Sequence, residues 1–153
     1  FEHIWKINRT GYFLKQMEEN TSEDNLKLYK DYIEKRCSRV PLQHITGHQE
    51  FKGMDFVVSE NTLIPRQETE LLVEKTLEIA GECGREAKIL DMFTGSGCIA
   101  ISIAKGNREC SVTAADISEA ALEVAGRNKE IGHPYGRRHS RTERSDCKSR
   151  SYP

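Results

Sequence analysis

Leu26, Tyr29, Ile33 and Cys37 recur at three- and four-residue steps, which stacks them on one face of a helix. Residues 1 to about 37 therefore read as helical. Ser22, ahead of Glu23 and Asp24, is the expected start of the last helix there, because a hydroxyl oxygen can take free main-chain N–H groups. Pro41 is expected to close the segment. From Gln43 to Val58 the pattern becomes extended: Met54, Phe56 and Val58 alternate onto one face, and Lys52-Gly53 separates two arms. A hairpin turning at Gly53 is predicted, since glycine accepts a positive backbone angle. Asn61 to Arg66 reads as a loop stiffened by Pro65. Helical spacing returns from Glu68 to Ala80 in Leu71, Leu72, Leu77 and Ala80, with Gly81 and Gly84 ending it.

Lys88 to Phe93 is a short apolar strand, Thr94-Gly95-Ser96-Gly97 a turn, and Cys98 to Lys105 an apolar helix stopped by Gly106. Ser111 to Ala115 reads as a second strand ending at Asp116, and Ser118 caps a helix through Ala121, Leu122 and Ala125 towards Glu130. Strand, helix, strand in this order is a βαβ unit and implies a parallel sheet. Residues 133–153 contain no Leu, Ile, Val, Met or Phe, so they have almost nothing to bury and are expected to be disordered. The abrupt change is compatible with a natural tail or with a shifted reading frame, and the second is preferred.

The chain has 153 residues, of which 37% are hydrophobic and 31% charged, the composition of a folded domain on the polar side of the globular range. Its net charge of -1 conceals an asymmetry. Residues 133–153 carry six Arg or Lys against two acidic groups, a balance of +4, leaving -5 on the rest. An acidic body lacks the basic face that phosphate neutralisation needs, so no direct nucleic-acid partner is expected, and the tail reads as solvated. Five cysteines at irregular spacings form no C-x-x-C pair and no metal pattern, as expected of reduced thiols in a cytoplasmic protein. No apolar run reaches the ~18 residues of a membrane span. The first residue is Phe1, which suggests a fragment.

The chemistry concentrates at the glycine turn. A helix start has unpaired N–H groups and a partial positive charge, so a glycine turn feeding a helix offers a seat for an anion or carboxylate. Gly95 and Gly97 allow close approach to the main chain. Asp116, nineteen residues beyond Gly97 at a strand end, is placed to accept hydrogen bonds from two ribose hydroxyls. Gly95 to Ala100 also satisfies the dinucleotide pattern G-x-G-x-x-G/A, so a nicotinamide (NAD) module fits the turn too, as does a plain structural turn with a surface Asp. Asp91, an acidic residue inside a strand, needs a partner and favours a site. Cys98 reads as packing and not as a nucleophile. His44, His48, His133 and His139 read as solvated polar groups and not as bases.

Four segments go further: Arg39 to Gly47 (RVPLQHITG), Glu50 to Gly53 (EFKG), Leu63 to Glu70 (LIPRQETE) and Ile89 to Ala100 (ILDMFTGSGCIA). In order and spacing they resemble the HemK/PrmC family of release-factor glutamine methyltransferases, over roughly residues 1 to 131. The resemblance implies an α/β, Rossmann-like class I S-adenosylmethionine-dependent methyltransferase fold, truncated here, preceded by a small helical domain and a β-hairpin linker. The corresponding divisions are 1–40, a partial helical domain recognising the release factor; 41–60, the hairpin linker; 61–132, the N-terminal part of the methyltransferase domain; and 133–153, the basic tail. It implies S-adenosyl-L-methionine as cofactor, bound by Asp91, Phe93, Thr94, Gly95, Ser96, Gly97 and Asp116, with Asp91 near the cofactor's ammonium. The substrate would be the glutamine amide of the Gly-Gly-Gln loop of class 1 peptide chain release factors, and the full-length enzyme is expected to be a cytoplasmic monomer.

Three departures qualify the resemblance. Phe93 stands where the general methyltransferase pattern has its first glycine, and Gln67 replaces a proline. The Asn-Pro-Pro-Tyr motif that holds the substrate amide in the family does not occur after Asp116. An amide nitrogen is a poor nucleophile and depends on being oriented, so the chain is expected to be catalytically inactive and marginally folded. A methyltransferase acting on another protein or on a nucleic-acid amine, and an NAD-binding module, are the alternatives.

Overall fold

The computed structural model describes residues 2–8, 10–11, 22–83, 86–132 and 140–144. The chain divides into two compact units, Phe1–Thr46 and Gly47–Pro153. The boundary falls inside the stretch read as a separate linker, and the hairpin belongs to the second unit.

In the first unit, α1 (Glu2–Trp5) and α2 (Glu23–Cys37) meet through aromatic rings. Trp5 and Tyr29 stand edge to face with centroids 5.5 Å apart, and His3 lies 6.1 Å from Tyr32. Ser22 caps α2 as expected, its hydroxyl accepting the Asn25 N–H at 3.3 Å. The apolar face read in α2 is only partly covered: Tyr29 is half-buried, whereas Leu26, Ile33 and Cys37 are exposed. Leu42–Thr46 is a short helix, α3, and not extended chain. Pro41 opens it instead of closing what precedes, because its ring pre-sets a helical angle while its carbonyl accepts the N–H groups of His44 and Ile45.

The second unit begins with β1 (His48–Phe51) and β2 (Met54–Val57), antiparallel with Phe51 opposite Met54. Lys52 and Gly53 both have positive φ, 54° and 69°, which is the two-residue turn whose twist suits a hairpin. Phe56 and Val58 are buried and Met54 is half-buried, so the alternation holds. A single turn of 3-10 helix (Gln67–Thr69) leads into α4 (Glu70–Glu82), which runs past Gly81. Its anchor is Val73, fully buried, while Leu71 and Leu72 are exposed.

Strand β3 (Lys88–Met92), helix α5 (Cys98–Gly106) and strand β4 (Ser111–Asp116) form the expected βαβ unit, with Ile89 opposite Val112 and Met92 opposite Ala115 in parallel pairing. Helix α6 (Glu119–Gly132) follows, capped by Ser118, whose hydroxyl accepts the Ala121 N–H at 3.2 Å. The core joins Phe51, Phe56, Val73, Cys98, Ala100, Ile101, Ile103 and Val112.

One expectation about the C-terminal part is corrected. Ser140–Arg144 is a strand, β5, parallel to β4, so this piece of the tail is ordered and the sheet has three strands in the order β3-β4-β5. Strand pairing is made by main-chain groups and needs no apolar side chain, and composition alone misses it. The rest of the tail lies outside the described residues. Strand β3 has a sheet neighbour on one side only among the described residues. Ile89 packs on the core, whereas Leu90 and Met92, on the opposite face, are 58% and 54% exposed. No helix among the described residues is long and apolar enough to cross a membrane.

Candidate functional site: the glycine turn between β3 and β4

The chain leaves β3 at Phe93, whose φ of 63° turns it sharply away from the sheet, and 78% of that residue is exposed. Such a conformation costs an L-residue with a bulky side chain roughly 1–2 kcal/mol. Thr94 then drops back into the protein. Its N–H bonds to the Ala115 carbonyl at 3.0 Å, and its hydroxyl donates to Asp91 Oδ2 at 2.6 Å. Gly95 and Gly97 follow with φ of 55° and 79°, and the Gly97 N–H closes the turn on the Thr94 carbonyl at 2.9 Å. Gly97 is the residue before α5, so the helix start points at the turn.

The two glycines differ in surroundings. A Cβ on Gly97 would lie 3.1 Å from Ala125 Cβ and 3.2 Å from Ile101 Cδ1, so this glycine lets α5 and α6 close together. A Cβ on Gly95 would meet nothing within 4 Å. The main chain at Gly95 is therefore open to a ligand.

Two carboxylates flank that opening. Asp116 Oδ2 accepts the Gly95 N–H at 2.9 Å, and its Oδ1 accepts the Ser118 N–H at 3.0 Å. Each oxygen keeps lone-pair capacity for a hydroxyl donor. Asp91 is half-buried, and burial pushes its carboxyl above the usual range, opposed by the Thr94 hydroxyl and the Ala100 main-chain N–H, with the nearby Asp116 charge adding to the rise. The partner expected for Asp91 is thus Thr94.

All seven residues singled out in the sequence, Asp91, Phe93, Thr94, Gly95, Ser96, Gly97 and Asp116, fall on this turn or on the strand ends that frame it. Ser96 is buried, and its carbonyl accepts the side-chain amide of Asn128 at 2.9 Å. Cys98 is buried, which pushes its thiol up to about 11 and removes it as a nucleophile at neutral pH, in line with the packing role. Asn128 was missed. The signal was present, since it lies on the same stripe of α6 as Ala121, Val124 and Ala125, where a polar residue must find buried partners. Among the described residues no group of acidic, His and Cys side chains is arranged to hold a metal.

The βαβ unit thus brings together an open glycine turn, a carboxylate at the second strand end and a helix start between them. Residues 65–150 match the methyltransferase small domain family, more than half of the chain, which defines the class: a Rossmann-like class I methyltransferase fold. Residues 1–47 match the PrmC N-terminal domain. The chain is 47% identical over 120 residues to the release factor glutamine methyltransferase of Koribacter versatilis, covering 77% of this chain and 42% of that protein. To the enzyme of the same name from Bacillus cereus it is 39% identical over 133 residues, 85% of this chain and 47% of the relative. A solved structure, the Pyrococcus abyssi tRNA (uracil-54, C5)-methyltransferase with S-adenosyl-L-homocysteine, shows 31% identity over 55% of this chain and 20% of that one, with a TM-score of 0.43. The chain belongs to the HemK/PrmC family of release factor glutamine methyltransferases and spans less than half the length of these curated relatives.

Proposed function

We propose that the chain forms the cofactor-binding part of an enzyme that moves a methyl group from S-adenosyl-L-methionine to the side-chain amide of the glutamine in the Gly-Gly-Gln loop of class 1 release factors. The observation that carries this reading is the pairing of an open main chain at Gly95 with the Asp116 carboxylate across the turn. The residues suit the group. Asp116 would take the ribose hydroxyls, Asp91 would face the ammonium, and the main chain from Phe93 to Gly97 with the start of α5 would take the carboxylate end. S-adenosylmethionine, when bound, supplies an electrophilic methyl on a sulfonium. What the chain's residues contribute is binding and orientation.

In this reading residues 1–40 engage the release factor, 41–60 carry the connecting hairpin, and 61–132 begin the methyltransferase domain of a cytoplasmic, monomeric enzyme. The chain carries no Asn-Pro-Pro-Tyr after Asp116, so methyl transfer by this polypeptide alone is not expected. Calorimetry with S-adenosylhomocysteine and with NAD tests the assignment. Heat with the first and none with the second is expected; heat with NAD alone overturns it. A cooperative thermal transition together with methyl transfer to a release factor by this chain would refute the inactivity.

A further inference from the structure

Asn128 lies on α6 and is 2% exposed. Burying a primary amide is costly unless each of its groups is paired. Here the pairing is shared between two remote segments. Oδ1 accepts the Val57 N–H at 2.7 Å, and Nδ2 donates to the Val57 carbonyl at 2.8 Å and to the Ser96 carbonyl at 2.9 Å. Val57 ends β2 of the hairpin; Ser96 sits between the two glycines of the turn.

The consequence for the turn follows from its other bonds. Asp116 fixes the Gly95 N–H, and the Thr94 carbonyl fixes the Gly97 N–H. Holding the Ser96 carbonyl sets the tilt of the Ser96–Gly97 peptide, and with it the direction of the main-chain groups that face a ligand. The same amide can hold that tilt only while Val57 stays in place, and the hairpin is fastened at its other end as well. The Lys52 N–H donates to Glu70 Oε1 at 3.0 Å, and Lys52 Nζ pairs with Glu74 at 2.6 Å, both on α4.

We propose that Asn128 is a positioning residue that couples the β-hairpin to the glycine turn, so that the turn holds its binding geometry only when the hairpin is docked. This rests on the turn being the methyl-donor site. It assigns to the hairpin a role in binding the donor, beyond connecting parts of the chain.

Hydrogen exchange on the full chain tests the coupling without any ligand. In low denaturant, the amides of 56–58 and 95–98 are expected to open as one unit with a common denaturant dependence. In Asn128→Asp, which keeps an acceptor for Val57 but places an oxygen against two carbonyls, both segments should exchange about tenfold faster while 72–80 in α4 stays within about twofold. A turn that keeps its protection when β2 loses its own overturns the proposal, as does uniform acceleration of the whole unit. If the variant does not fold, the comparison of the two segments in the unaltered chain decides, and different opening behaviour overturns the coupling. S-adenosylhomocysteine should bind the variant about tenfold more weakly at a temperature where both proteins are folded, and unchanged affinity counts against the proposal. If the unaltered chain takes up no S-adenosylhomocysteine, the cofactor assignment fails, while the exchange data still settle the coupling.

Discussion

The carboxylate of Asp116 accepts the main-chain N–H of Gly95 at 2.9 Å across a separation of 21 residues. One side chain thus ties the end of β4 to the turn after β3, and through its second oxygen it starts the segment leading into α6. The residue that would read the ribose also builds the turn that would hold the rest of the ligand, so structure and binding are expected to fail together there.

Asp116→Asn replaces one accepting oxygen with an amide that cannot accept, leaving one of two main-chain donors unpaired. A loss of about 1–2 kcal/mol in urea denaturation is expected, with S-adenosylhomocysteine binding weakened by more than about tenfold in calorimetry.

Phe93→Gly should act in the opposite direction. The native φ of 63° is strained for phenylalanine and free for glycine, and the ring, largely exposed, contributes little packing. The relief of about 1–2 kcal/mol is partly offset by the greater freedom of glycine in the unfolded chain. A net gain in stability of about 0.5–1 kcal/mol is expected, read from urea denaturation.

The two glycines of the turn should separate. Gly97→Ala meets both an unfavourable angle and the Ala125 and Ile101 side chains, and is expected to cost about 2–3 kcal/mol in denaturation. Gly95→Ala meets open space, so its cost should be the backbone term alone, about 1 kcal/mol, while ligand affinity falls further than stability does.

Asp91 gives a pH signature with a definite sign. Burial raises its folded pKa above the ordinary carboxylate value, so the fold binds the proton more tightly than the unfolded chain does. The contribution to stability is complete below the unfolded value and is lost as pH rises through the raised folded one. Asp91→Asn should therefore flatten the acid-side dependence of the thermal midpoint and raise stability at neutral pH. Binding of S-adenosylhomocysteine should move the other way. It should strengthen in the unaltered chain as Asp91 ionises and fall about tenfold or more at neutral pH in the variant, read by calorimetry across the pH range.

The open side of β3 bears on solution behaviour. A parallel strand is ordinarily covered on both faces and both edges, and β3 leaves Leu90 and Met92 largely exposed. Light scattering on the isolated chain is expected to show self-association that grows with concentration. Leu90→Thr with Met92→Thr should reduce it while leaving the hairpin and α5 in place.

What the sequence revealed depended on whether the signal was local. The Ser22 and Ser118 caps, the Lys52-Gly53 turn and the strand-turn-helix around Gly97 are each encoded within a few neighbouring residues, and each appears where expected. Val73 was overlooked beside Leu71 and Leu72 because the burial of one helical position over its neighbours is decided by what packs on it, here the Phe51 cluster. The extended pattern expected from Gln43 fails over residues 43–46 because a proline placed just before a helix is a start and not a stop. Strand β5 could not be found from hydrophobic pattern at all, since its partner is the main chain of β4.

The Val57 contact has one more consequence. Along the hairpin, Val58 N–H turns inward to the Gly47 carbonyl, so the peptide groups of Val57 point outward, where a foreign strand would add. The Asn128 amide satisfies that outward donor and acceptor together, imitating one residue of a neighbouring strand. A single side chain thus blocks intermolecular zippering at the Val57 end of β2, a safeguard that β3 lacks among the described residues.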